Sequence, residues 1–160
     1  QIPAFVTVTA LFMDDDAEFI SQVISQVKPD CLQFHGKELA GFCENWSLPY
    51  IKAIPMGSVS DANAYAQSYQ AAQGFLLDSN VAGRQGGSGD TFDWSKIPST
   101  FQYPLILAGG LTPQNVAEAV SQVHPWAVDV SSGVERTKAV KDADLIRQFC
   151  KEVFRVDCQQ

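Results

Sequence analysis

The chain has 160 residues, 46% of them hydrophobic, and a net charge of −7. Such composition fits one globular domain and excludes collagen, coiled coil and intrinsic disorder. The 11 Lys and Arg are scattered, so the acidic chain offers no basic patch for nucleic acid, and no apolar run reaches the roughly 18 residues of a membrane span. One bound phosphate is still compatible with this charge, because backbone N–H groups hold phosphate without net positive charge.

The cysteines are Cys31, Cys43, Cys150 and Cys158, with no C-x-x-C pair and only two His beside them. That argues against zinc ligation and against a disulfide-stapled fold. Free, mostly core-like thiols point to a reducing compartment, hence the cytoplasm. No signal peptide heads the chain, which starts at Gln1 rather than Met. The start reads as a processed or shortened end.

The pattern alternates strand and helix. Residues 5–12 (FVTVTALF) form a β-rich run. Asp14, Asp15 and Asp16 follow as a solvated helix start, preferred over a metal site, and Phe19, Ile20, Val23, Ile24 and Val27 recur at helical spacing over 17–27. Strand 31–35 leads to a helix over 38–46. Strand 50–54 leads to a helix over 61–72 with Tyr65, Tyr69 and Ala72 on one face. Strand 74–78 (GFLLD) precedes a long Gly-rich loop. Strand 104–108 precedes Gly109-Gly110, then Thr112-Pro113 as cap and first turn of a helix buried through Val116, Ala119, Val120 and Val123. Strand 126–131 precedes a last helix over 142–154, buried through Leu145, Ile146, Phe149, Cys150 and Val153.

Alternation with apolar, β-branched strands predicts an α/β fold around a parallel sheet covered on both faces. An open doubly wound sheet and a closed (β/α)8 TIM barrel both fit. No G-x-G-x-x-G follows the first strand, which weakens the dinucleotide-binding sheet. Strand starts lie about 24 residues apart, the size of a compact strand-helix repeat. Eight such units come to roughly 195 residues. The chain is therefore about two units short of a barrel, with six of eight present in a single partial domain over residues 1–160.

Polar residues collect at the C-terminal strand ends, where parallel-sheet enzymes place their chemistry. These are His35-Gly36, Asp78-Ser79, Gly109-Gly110, Asp129 and Ser131-Ser132-Gly133. Gly109-Gly110 lets a ligand approach the backbone, and residues 131–135 can open a short extra helix whose N–H groups face an anion. Gly-Gly alone is more often just a tight turn; two such pieces at consecutive strand ends suit a phosphate.

The segments QFHGKE (33–38), LLDS (76–79), GGSGDTFDW (86–94), LAGGLTPQNVAEAV (107–120), AVDVSSGVE (127–135) and KDADLIRQF (141–149) resemble phosphoribosylanthranilate isomerase of tryptophan biosynthesis, in order and over nearly the whole chain. The resemblance implies a phosphate-binding TIM barrel and an Amadori rearrangement of an aminoaldose to an aminoketose, with no metal or redox cofactor. It implies that Asp78 is the general acid, and an apolar run before a carboxyl suits the raised pKa of an acid near neutrality. Asp78 reads alternatively as a cap for the next loop. Asp129 matches the second strand-end carboxylate, holding substrate hydroxyls or the amine; its alternative is a buried structural hydrogen-bonder. His35 resembles a substrate-pocket residue and reads almost equally as a loop brace. Gly86, Gly87 and Gly89 would shape the loop after Asp78. Gly109, Gly110, Ser132 and Gly133 would hold the phosphate.

The chain also departs from the family. A first strand ending in Lys-Ile-Cys-Gly, whose Cys is the general base, and a second strand with an Arg-containing loop have no counterpart before Phe5. Residues 5–12 match the family's third strand. Cys31 begins its strand about 13 Å from the catalytic end. Cys43 and Cys150 fall on outer helices and Cys158 in the tail, so none replaces the base. The chain alone is therefore expected to be inactive and to pair its open sheet edges with another copy. Lesser departures are Asp90 and Ala139, the latter where the resemblance expects Gly. Two other readings are a different phosphate-binding barrel enzyme, such as indole-glycerol-phosphate synthase with Lys52 as its catalytic lysine, and a non-catalytic phosphate-binding relative.

Overall fold

Six short strands pair in parallel and in chain order, β1-β2-β3-β4-β5-β6. They are β1 (Thr9–Phe12), β2 (Cys31–Phe34), β3 (Tyr50–Pro55), β4 (Gly74–Asp78), β5 (Leu105–Leu107) and β6 (Ala127–Val128). The helices between and after them are α1 (Ala17–Val27), α2 (Ala40–Cys43), α3 (Ala62–Gln67), α4 (Val116–Val123) and α5 (Ala143–Asp157). The computed structural model describes residues 2–79 and 93–158. The α/β alternation expected from sequence is therefore present, with every connection between neighbouring strands a crossover. Readings that fall on Gly86, Gly87, Gly89 and Asp90 lie outside the described residues.

The period-two alternation of each strand divides the sheet into two faces. Phe12, Leu32, Phe34, Tyr50, Ile54, Phe75, Leu77 and Leu107 point outward and pack with Ile20, Cys43, Ala66, Val116 and Ala119 of the helices. Ala53, Leu76 and Ala108 face inward, with Ile51 and Ile106 against them. Leu76, on the central β4, is 1% exposed, whereas Leu11, on β1, is 57% exposed. The inner face is thus covered at its centre and open toward β1 and β6, each of which pairs with one neighbour among the described residues.

Several element ends differ from expectation. The run 5–12 is a strand only from Thr9, since Phe5 sits at φ +67 and is fully exposed. The helices expected over 38–46 and 61–72 shrink to α2 and α3, while Tyr65 and Tyr69 still stack at 5.2 Å. α4 begins at Val116, not at Thr112-Pro113. The Asn115 side chain accepts the Thr112 N–H and donates to the Gly110 carbonyl, so a side-chain-braced turn replaces the first helical turn. The strand expected over 126–131 is reduced to β6, although the Trp126 and Asp129 N–H groups still donate to the Leu105 and Leu107 carbonyls.

α5 runs on to Asp157 because Asp142 caps it with two bonds to the Asp144 and Leu145 N–H groups, and nothing breaks it before Cys158. Its buried side chains are Phe149 and Val156; Ile146 and Cys150 are exposed. Cys158 is exposed as well, so only Cys31 and Cys43 are core thiols. The acidic triplet serves the local backbone. Asp16 caps α1 by accepting from the Phe19 N–H, Asp15 accepts from Met13, and Asp14 from Lys37.

Candidate active site

The inward alternation of β4 ends on Asp78, which is 7% exposed. His35 follows β2 and reaches across the inner face, with β3 and its small Ala53 between the two strands. Its Nε2 lies 3.1 Å from Asp78 Oδ2, and its Nδ1 lies 3.3 Å from Gln33 Nε2. With the Gln33 amide donating to Nδ1, Nε2 carries the proton that Asp78 accepts. Ser79 Oγ donates to the other carboxylate oxygen at 3.4 Å. On the far side, Gly109 (φ +81) packs so closely that a Cβ there would sit 2.4 Å from Ser79 N and 2.8 Å from Asp78 Oδ1. Only glycine supplies both that backbone angle and that approach.

Asp129 follows β6 in the inward register and is exposed at the mouth of the sheet. Protein still surrounds it closely, as it does any group lining a concavity. Burial pushes its carboxyl pKa up, the neighbouring Asp78 pushes it further, and His35 and Lys141 oppose them. Asp78, His35 and Asp129 therefore share one mouth, within electrostatic reach of each other. Of these two carboxyls, Asp129 is the one whose surroundings hold it toward its protonated form.

Beside them lie the two turns expected to hold phosphate. Gly109 and Gly110 both take positive φ. Ser132–Val134 form the short helical turn anticipated for residues 131–135, here a 3-10 turn. Gly133 presses on the first loop so tightly that a Cβ would fall 1.8 Å from the Leu111 carbonyl oxygen. The loops carrying Gly109-Gly110 and Ser132-Gly133 are thus held side by side.

An antiparallel hairpin, β7 (Glu135–Thr137) with β8 (Val140–Lys141), follows. It returns Lys141 to the site, where Nζ binds the Ser131 carbonyl at 2.8 Å, Ser131 Oγ at 3.2 Å and Glu135 Oε1 at 2.8 Å. Alternation gives no hint of so short a fold-back. Ala139 turns the hairpin at φ +64, which explains why Gly suits that position; Ala there costs roughly 1–2 kcal/mol.

Lys52, the catalytic lysine of the alternative reading, is not at this mouth. It lies on the outward register of β3, fully buried, with Nζ bound to the Phe34 and Gly36 carbonyls and to Glu38. The thiols are also elsewhere. Cys31 starts β2 at the opposite end, Cys43 is on α2, Cys150 lies on α5 and Cys158 caps it. Burial raises the Cys31 thiol and pushes Cys43 up to about 11, so neither is a ready thiolate.

A family model described as N-(5′-phosphoribosyl)anthranilate (PRA) isomerase matches residues 2–152. The N-(5′-phosphoribosyl)anthranilate isomerase of Alcanivorax borkumensis is 49% identical over 160 residues, covering 96% of this chain and 73% of its own. Among solved structures, phosphoribosyl anthranilate isomerase from Thermotoga maritima superposes with a TM-score of 0.82 at 36% identity, covering 96% of this chain and 76% of that one. A phosphoribosyl anthranilate isomerase in complex with reduced 1-(o-carboxyphenylamino)-1-deoxyribulose 5-phosphate superposes with a TM-score of 0.79 at 35% identity, covering 97% and 75%.

Proposed function

The chain belongs to the N-(5′-phosphoribosyl)anthranilate isomerase family, and we propose that Asp78 is the general acid of its reaction. It is an isomerase of tryptophan biosynthesis with the α/β barrel architecture of that family. The substrate N-(5-phosphoribosyl)anthranilate rearranges to 1-(2-carboxyphenylamino)-1-deoxyribulose 5-phosphate. Asp78 acts in its carboxylic acid form, with the proton on Oδ1 while Oδ2 keeps the His35 Nε2–H; it gives that proton to the ribose ring oxygen, the ring C–O bond breaks, and a Schiff base forms. Loss of the C2′ proton to a base yields the enol, which becomes the aminoketose.

The observation that carries this reading is the Asp78–His35 pair, partly buried at the strand ends and flanked by a glycine-bearing loop. His35 holds one carboxylate oxygen of Asp78, and Asp129 holds substrate hydroxyls or the amine. Gly109, Gly110, Ser132 and Gly133 give backbone N–H groups to the phosphate. Inorganic phosphate or a product analogue is expected to slow amide exchange at Gly109, Gly110, Ser132 and Gly133. Protection confined to other amides overturns the assignment.

The same reading treats residues 1–160 as one partial barrel domain whose remaining strands pair along β1 and β6. Both edges carry apolar residues, with Leu11 57% and Trp126 83% exposed, and unpaired apolar edges associate. The 160 residues made alone are expected to form dimers or larger species by light scattering and to show no turnover, since no Cys stands beside Asp78. A stable, active monomer refutes this account. Cys31 and Cys43, free and buried, support a reducing, cytoplasmic location.

A further inference from the structure

On the outer side of the sheet, next to the loop that carries His35, lies a buried ion pair that neither acid–base chemistry nor phosphate binding uses. Lys52 is fully buried and Glu38 is 7% exposed. Lys52 Nζ donates to the Phe34 carbonyl at 3.2 Å, the Gly36 carbonyl at 2.7 Å and Glu38 Oε2 at 3.1 Å, which uses all three of its protons. Its charge also stands 5.6 Å from the centre of the Tyr69 ring. The second Glu38 oxygen accepts the N–H of Asp14 at 2.8 Å and of Gly36 at 3.2 Å. Tyr69 Oη donates to the Glu38 carbonyl at 3.0 Å.

Gly36 is the focus of this network. Its N–H is held by Glu38 and its C=O by Lys52, so both peptide groups flanking it are fixed by one ion pair. It cannot escape toward β1, because a Cβ at Gly36 would already lie 2.4 Å from the Asp14 carboxylate. The residue before it is His35, whose own N–H donates to the Phe12 carbonyl. The backbone of His35 is thus pinned on one side by β1 and on the other by Glu38 and Lys52.

We infer that Glu38 and Lys52 are positioning residues for the isomerase reaction: they set the backbone of Gly36 so that the His35 imidazole meets Asp78. The inference rests on the reading of Asp78 and His35 given above. Stability alone does not account for the pair, because burying two charges costs desolvation that well-packed apolar residues avoid. Fixing His35 does account for it, since displacing a catalytic constellation by about 1 Å costs on the order of 100-fold in rate.

The test is the double variant E38Q/K52M in the full-length enzyme. It removes both charges together, leaves no unpaired buried ion, and keeps a Gln oxygen for the Asp14 and Gly36 N–H groups. Expected are a cooperative thermal unfolding transition, a kcat lower by roughly 10- to 100-fold, and a KM within about 3-fold of wild type. The His35 ring cross-peak in NMR is expected to move, as its contacts to Asp78 and Gln33 and its proximity to Asp129 change. Unchanged kcat with an unmoved cross-peak overturns the inference. So does a double variant that does not fold, which would make the pair a folding requirement. The NMR readout is independent of turnover. If Asp78→Asn retains activity while the His35 cross-peak moves in the double variant, the acid assignment fails and the positioning inference stands.

Discussion

Asp78→Asn in the full-length enzyme is expected to lower turnover by roughly 10²- to 10⁴-fold, the usual contribution of a general acid. The substitution is close to isosteric. An Asn oxygen still accepts the His35 Nε2–H that now bonds Asp78 Oδ2 at 3.1 Å, and the Gly109 backbone meets a side chain of the same width. What is lost is the proton. Without it the ribose ring oxygen leaves as an alkoxide, and opening to the Schiff base becomes the slow step. Phosphate affinity is expected to stay within a few-fold, because no phosphate contact assigned above involves the Asp78 side chain. Steady-state kinetics and phosphate titration of the variant check both halves. Turnover within a few-fold of wild type removes Asp78 from the acid role.

The strand order and the position of Asp78 are legible in the sequence for a physical reason. A parallel sheet covered on both faces must be apolar along its strands, so a run such as GFLLD ends visibly on its carboxylate. The two glycine turns are legible as close backbone approaches because glycine is needed where backbone meets backbone, as at Gly109 and Gly133. Element lengths are less so. Thr112-Pro113 resembles a helix start, but Asn115 competes for the same backbone groups and delays α4 by a turn. The face of α5 is misread at Ile146 and Cys150 because hydrophobicity marks residues able to be buried, while β6 and the hairpin leave little to cover them. Lys52 inside an apolar strand looks like a catalytic candidate. Only side-chain geometry shows that its partners are Glu38 and two carbonyls on the outer face. Lys141 is invisible for a similar reason: its role comes from a hairpin turning back, which has no local spacing. The Gln33 amide lies only two residues before His35 on the same strand face, but that spacing marks nothing until the ring is placed.

Gly133→Ala is expected to lower kcat/KM by about 100-fold, the cost of shifting a binding loop by about 1 Å. The added Cβ would fall 1.8 Å from the Leu111 carbonyl oxygen and 3.2 Å from the Thr112 Cα. Both are backbone, so no side-chain rotation relieves the contact and one of the two loops must move. The loop that moves carries either Gly109-Gly110 or Ser132-Gly133, so the backbone groups assigned to the phosphate no longer converge. The loss should therefore appear mainly in KM and in phosphate affinity rather than in kcat, because Asp78 and His35 are held by other contacts. Folding stability should also fall, by roughly 1–3 kcal/mol as for other overpacked sites. Gly41→Ala provides the control. Nothing lies within 4 Å of a Cβ at that helical position, and alanine favours helix over glycine by about 1 kcal/mol. Kinetics, phosphate titration and thermal unfolding of the two variants, compared side by side, decide the matter. A Gly133→Ala enzyme that keeps its phosphate affinity within a factor of about two would show that the two loops do not act together on the anion.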